Sequence, residues 1–421
     1  MKLFYIFIAI FILSPFAFGA TKDSPIQLEH ILKLAWQNSP LLVGQRIQNE
    51  LASGDRYRRF IFNEPQLQYS NSDDNTARTF GLSLALPFPG KSFALTRLDT
   101  AKANLQRAEL FAKKYDITKT ITQAYLDCSA AQATYEIQKL TSADLETVSK
   151  TLKSLYETGH STQAEKIGSE LQSRQSQFDL SNAEDKPLVF CKRLDDLLSA
   201  ATATEKLTSF VNVKTTLPDD LDSTIISELG EWTADQSRAD ANIALARATA
   251  NTAWWSQAPD LNFSLSRNQY IYLPGSPSGK EWTTTYGITI VLPILFPFHE
   301  SVEARRMKSQ AQMDQNSAET QKIAADSDQL IAAKEYIRSR TRLKELRLKD
   351  LALAEALVES TYSAYRSGKL GYAELVLSRK TLSDIRNQDI QLRLSIINAH
   401  LRCLNNCEQA DTKTQTDENI L

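Results

Sequence analysis

The sequence predicts an α+β fold in which one unit, a helix, a β-hairpin and a long helical hairpin, is built twice. Three observations carry this. A short motif occurs twice, as Phe80-Gly-Leu-Ser-Leu-Ala-Leu-Pro-Phe-Pro-Gly-Lys91 and Tyr286-Gly-Ile-Thr-Ile-Val-Leu-Pro-Ile-Leu-Phe-Pro-Phe298. Each copy precedes about seventy residues with neither Gly nor Pro. Further landmarks recur between the halves at an offset that drifts only from 194 to 211 residues. In each motif large apolar residues take every second place (Phe80, Leu82, Leu84, Leu86; Tyr286, Ile288, Ile290, Leu292), the period of a strand with one apolar face. Proline cannot donate to a ladder, so each strand stops there and a very long helix follows.

Taken in order, residues 26–62 read as a helix, with Leu28, Ile31, Leu32, Ala35 and Trp36 at helical spacing. Pro25 is tolerated near its start, and Asn38-Ser39-Pro40 predicts a kink. A hairpin follows, with strands over 65–71 and 79–87 and a polar turn between them. The first long helix covers 91–158 and would be roughly 100 Å long, which implies coiled-coil packing. Gly159 is its stop signal. A return helix over 162–206 is expected to break near Pro187, and a polar connector spans 207–221. The plan then repeats. A helix over 222–256 leads to strands over 260–272 and 282–292, a long helix over 299–367 ends at Gly368, and a return helix covers 370–404. The repeats thus span 20–206 and 222–407, with long helical hairpins over 91–206 and 299–404. Residues 408–421 read as a disordered tail. Matching landmarks are Pro65 with Pro259, Tyr125 with Tyr336, Tyr156-x-x-Gly159 with Tyr365-x-x-Gly368, and Ala164-Glu165 with Ala373-Glu374.

Composition narrows the function classes. The formal charge of −2 gives nucleic-acid binding no electrostatic support. Four His and three Met make no metal-rich tract, and His30, His299 and His400 are far apart. No phosphate-binding Gly loop, Gly-x-Ser-x-Gly elbow or His-Glu-x-x-His is present, so no catalytic set and no cofactor site is read. Lys2, the apolar run Leu3 to Leu13, Pro15 and Ala17-Phe18-Gly19 predict a signal peptide over 1–19. No later segment approaches the apolar length of a transmembrane helix.

The strands have apolar faces that helices running away from them cannot cover. Polar-in, apolar-out strands behind a signal peptide fit an outer-membrane barrel. Aromatics gather where its interfaces would lie: Phe60, Phe62, Phe88, Trp254, Trp255, Phe296 and Phe298 on the helix side, Tyr270, Tyr272 and Trp282 near the far turn. Four strands cannot close a barrel, and an open edge cannot sit in lipid, so the chain must oligomerise. Two chains would give eight strands and three would give twelve.

The duplicated order of helix, hairpin, long helix, Gly turn and return helix resembles the TolC-like outer-membrane efflux proteins (outer-membrane factors) over about 26–407. The resemblance implies a homotrimer: a twelve-strand β-barrel in the outer membrane, continued by an α-helical coiled-coil tunnel across the periplasm, with 207–221 as an equatorial connector. It implies a passive exit duct, not an enzyme, with a periplasmic adaptor (membrane fusion) protein and an inner-membrane pump as partners and outer-membrane lipid around it. The outer-membrane part of a type I protein secretion system shares this architecture. A periplasmic coiled-coil scaffold or adhesion protein, from another class, would explain the helices but not the strands.

The resemblance also places functional residues at the two helix–helix turns, the periplasmic tip. The family pattern is Gly, a hydroxyl three residues on and an acid six residues on. The first turn keeps it as Gly159, Thr162 and Glu165; the second has Gly368, Gly371 and Glu374. Glu374 is the pore-acid candidate; Leu377 and Leu370 stand where relatives carry a second acid and an Arg. Tyr365 and Glu165 match a closed-state tyrosine–carboxylate link. His160 lies at the first tip.

The cysteines give a separate expectation. Cys128 lies 31 residues before Gly159 and Cys191 lies 32 after it. In helices folded back at that turn, equal counts mean equal height, which makes Cys128 and Cys191 a candidate disulfide in an oxidising compartment, with small apolar packing residues as the alternative because equal height does not fix facing. Cys403 and Cys407 lie together near the end of the last helix, four residues apart.

Overall fold

The computed structural model describes residues 27–58, 65–71, 77–86, 88–202, 215–229, 233–255, 261–270, 281–290, 300–404 and 406–407. The signal peptide, the start of the connector and the tail lie outside them, as do Phe60, Phe62, Tyr272, Phe296, Phe298 and His299.

The first repeat begins with α1 (Leu28–Asn38) and α2 (Pro40–Arg58), which break at Ser39 as Pro40 requires. The apolar stripe of α1 is buried, and Trp36 Nε1 donates to Thr118 Oγ1 at 2.9 Å. The hairpin is β1 (Gln66–Asn71) and β2 (Ala77–Leu86). Then α3 runs from Pro89 to Glu157, 69 residues or about 100 Å. Pro89 at its first turn sacrifices no intrahelical bond. Buried Ala94, Ala101, Ala108 and Ala112 let α2 and α6 lie close along its sheet-proximal half. The return helix α4 is continuous from Gln163 to Thr202. The break expected at Pro187 is absent. Proline removes one backbone donor, and packing against α3 along the helix outweighs that loss.

The second repeat departs from expectation in two places. The helix read over 222–256 is two helices, α5 (Ser223–Leu229) and α6 (Ala234–Trp255). Thr233 and Gln236 start α6 with a capping box: Thr233 N donates to Gln236 Oε1 at 3.1 Å and Gln236 N donates to Thr233 Oγ1 at 3.4 Å. After β3 (Leu261–Tyr270) and β4 (Glu281–Ile290), the long helix is α7 (Glu300–Glu345), a π-helical turn (Leu346–Asp350) and α8 (Leu351–Arg366). The return helix is α9 (Tyr372–Cys403).

The four strands form one antiparallel sheet in the order β1-β2-β3-β4, leaving β1 and β4 as edges. The repeats meet at its centre, where Ala77–Leu86 pairs residue for residue with Tyr270–Leu261. The register stacks Leu67 on Leu82 on Leu265 on Tyr286, and Leu84 on Phe263 on Ile288, along one face. The opposite face carries Gln68, Gly81, Ser83, Ser264, Ser266, Thr285 and Gly287. Gly287 leaves room for the Ser264 hydroxyl, since a Cβ there would stand 2.4 Å from Ser264 Oγ.

The largest apolar core lies at mid-height of the hairpins, where α1 and α5 pack on α3, α4 and α9. Cys128 and Cys191 are fully buried in it and joined, with Cα atoms 4.7 Å apart. Residues 215–222 strap across this level. Tyr125 Oη donates to Thr216 O at 2.9 Å, and the matching Tyr336 Oη of the second repeat donates to Asp220 Oδ2 at 2.6 Å. His400 Nδ1 pairs with Asp220 Oδ1 at 2.5 Å. Arg347, presented by the π turn, grips Asp219 with both terminal nitrogens at 2.7 and 2.8 Å, and Arg393 pairs with the same carboxylate at 3.2 Å. The Arg347 hydrogen bonds hold Asp219 below the usual carboxylate range. Cys403 and Cys407 are joined beside His400, with Cα atoms 5.4 Å apart. Leu404 at φ 48° turns the chain back so that they meet.

Candidate functional site

Both long helices end in the same device. At Gly159, with φ +78°, the Gly159 amide donates to Tyr156 O at 3.0 Å and the His160 amide to Leu155 O at 2.8 Å. At Gly368, with φ +72°, the Gly368 amide donates to Tyr365 O and the Lys369 amide to Ala364 O, both at 3.0 Å. These are two Schellman caps, and the left-handed residue in each is the glycine that such a cap favours.

The next helix start differs between the turns. Thr162 and Glu165 form a capping box: Thr162 N donates to Glu165 Oε2 at 3.0 Å, and Glu165 N donates to Thr162 Oγ1 at 3.2 Å. Ser161 Oγ adds a bond to the same carboxylate oxygen at 2.9 Å. The Thr162 amide, followed by the two hydroxyls, holds the Glu165 carboxyl below its ordinary range. At the second turn Gly371 supplies no hydroxyl, and the exposed Glu374 folds its carboxylate back over it. A Cβ on Gly371 would stand 3.0 Å from Glu374 Oε2.

The turns lie side by side. Tyr372, at the start of α9, reaches the first turn: its backbone helps to hold the Glu165 carboxylate, and its ring stands 3.7 Å from the place of a Gly168 Cβ. Tyr365 is at the same spot, with its phenol pushed up by burial and by the nearby Glu165 charge. Its hydrogen-bond partner is Ser161, so among the described contacts Ser161 stands between Tyr365 and Glu165 in place of a direct bond. Below them Val148, Leu152 and Leu375 make a small core flanked by Tyr362, Tyr365 and Tyr372. A cleft opens there between α3 and the α8–α9 hairpin, crossed by an Arg379–Asp144 ion pair at 2.9 Å. His160, Leu370 and Leu377 are exposed.

Sequence reasoning missed Ser161, Tyr372, Asp144 and Arg379. Ser161 precedes a Thr that fits the cap better. Asp144 and Arg379 stand at unequal distances from their turns, 15 and 11 residues, so no height argument pairs them. Among the described residues no cluster of His, Cys, Asp and Glu could hold a metal ion, and no helix is long and apolar enough to cross a membrane.

By sequence, no protein family and no curated protein matches. Solved structures do. CusC, whose structure concerns transmembrane channel formation, gives a TM-score of 0.67 at 14% identity, over 92% of this chain and 93% of that one. The outer membrane protein VceC of Vibrio cholerae gives 0.67 at 16%, over 90% and 96%. The MtrE outer membrane channel of Neisseria gonorrhoeae, in an open state, gives 0.63 at 12%, over 92% and 94%.

The fold is that of the TolC-like outer-membrane channels.

Within that TolC-like fold the paired Gly turns are the end of both hairpins farthest from the sheet. Of its two acids, Glu165 is occupied in capping and Glu374 lies exposed, and its tyrosines pack between helices. The Arg379–Asp144 pair, the Tyr365–Ser161 contact and the Tyr372 backbone at the Glu165 carboxylate join the first hairpin to the second.

Proposed function

We propose that the chain is the outer-membrane exit duct of a tripartite efflux assembly, a homotrimer that conducts passively and catalyses no reaction. The sheet carries this reading. One of its faces is apolar across all four strands, the other is polar, and both edges are open. In lipid each unpaired edge group costs several kcal/mol, so the edges must pair with further strands. Three copies give twelve strands, wide enough for a water-filled interior lined by the polar face. The helical hairpins then continue the duct into the periplasm, and the tip turns are where an adaptor protein and an inner-membrane pump would meet it. Exposed apolar residues such as Leu171, Phe178, Met313, Ile323 and Leu353 supply faces for neighbouring protomers. Mass measurement of the detergent-solubilised protein should give three chains, and the same preparation should open discrete conductances in a planar bilayer. A one- or two-chain particle overturns the reading.

A further inference from the structure

The sheet's apolar face ends in a basic rung. Arg78 on β2 and Arg267 on β3 share the face of Phe80, Leu82, Leu265 and Ile288. Both arginines are exposed, and both sit on the two central strands, where edge pairing with another protomer would leave their face uncovered. Arg78 pairs with Gln269, so Arg267 is its diagonal neighbour, about 7–8 Å away along the sheet. Trp282 pairs with Gln269 on the same face, and the Arg267 guanidinium lies 4.6 Å from its ring centroid, aimed by a cation–π contact. Two like charges set diagonally on an apolar face, with an indole beside them, are complementary to an anionic group at a lipid–water boundary.

The height agrees. Phe88 and Trp254 flank Trp255 at the helix end of the sheet, with ring centroids 6.2 and 4.7 Å from that of Trp255. Ten residues separate Phe88 from Arg78, about 33 Å of extended chain, or about 25 Å of height at a strand tilt of about 40°, matching the apolar band of a membrane barrel. The arginines therefore lie at the opposite boundary from the helices.

The geometry points to Arg78, Arg267 and Trp282 as a binding site for the phosphate of a lipid headgroup in the leaflet farther from the periplasm. The site rests on the membrane reading above. The full-length oligomer in detergent, offered phosphatidic acid or a phosphate-free galactolipid, should retain the former about tenfold better by native mass spectrometry. Arg78→Gln with Arg267→Gln should abolish that preference, Arg78→Lys with Arg267→Lys should keep part of it, and excess inorganic phosphate should leave the lipid bound. Equal retention of both lipids by the wild type, or an unchanged preference in the Gln pair, overturns the site and leaves the channel reading standing. Displacement by inorganic phosphate also overturns it, in favour of a free-anion site. Failure of the wild type to float with phosphatidylcholine vesicles overturns the membrane reading and the site with it. The preference of the wild type and the phosphate competition need no variant, so misfolding of the Gln pair does not shield the proposal.

Discussion

Gly90 shows what a single residue decides. A Cβ there would lie 2.0 Å from Cζ3 and 2.3 Å from Cη2 of Trp255, so the indole rests directly on the backbone at the start of α3. That seat orients Trp255 against Trp254 and Phe88. Gly90→Ala must displace the ring, an overpacking cost of about 1–3 kcal/mol. A lowered melting temperature together with shifted indole emission is expected; unchanged values of both would show that the ring has other space. Glu165 makes a second case. Its folded pKa lies below the ordinary 4.5, mainly because the Thr162 amide donates to it. A depressed acid contributes stability above its unfolded pKa and loses it as pH falls through the folded value. Protection of the Thr162 amide from hydrogen exchange should therefore persist from neutral pH to about 4.5 and fade below it, and Glu165→Gln should weaken that protection at neutral pH and remove its change across this range. Exchange at Thr162 that is indifferent to Glu165→Gln at neutral pH would deny the capping box.

At the scale of elements, the two long hairpins are alike at their ends and differently braced at mid-height. The first is joined by Cys128–Cys191, and the second holds the strap through Tyr336, His400, Arg347 and Arg393. The π turn that presents Arg347 lies between Tyr336 and Gly368, a stretch two residues shorter than the 34 from Tyr125 to Gly159. The Cys128–Cys191 bond spans 63 residues, for which chain entropy gives about 4 kcal/mol. Non-reducing peptide maps of protein from the membrane should contain the Cys128–Cys191 peptide, and Cys128→Ser should lower the melting temperature by several degrees. Free thiol at Cys128 in that sample would end this expectation.

The whole molecule places both turns together at one end and the sheet at the other, so in the proposed duct whatever passed the sheet's polar side would also pass the turns. Glu374 is exposed, and in the proposed trimer it would be the acid offered to the entrance. Glu374→Gln should reduce single-channel cation selectivity or relieve blockade by multivalent cations in a planar bilayer. Selectivity and blockade both equal to wild type would put Glu374 on the outer wall.

What the sequence determined by itself was local or periodic. The alternation of Phe80 to Leu86 and Tyr286 to Ile290, the stops at Gly159 and Gly368, and the break before Pro40 are dictated by backbone sterics and side-chain period, so they are legible one stretch at a time. Equal counts about Gly159 were enough to set Cys128 and Cys191 at one height. What only the tertiary structure decided depends on rotation and on distant partners. The sequence does not say that α4 continues through Pro187, because the helix is held by packing along α3 and not by its own propensity. Nor does it say that Ser161 intervenes between Tyr365 and Glu165, that Arg379 reaches Asp144, or that Tyr125 and Tyr336 converge on one strap. Each of those contacts joins residues dozens to hundreds apart, and a change of one residue in helical phase, about 100°, would turn a contact into an exposed side chain.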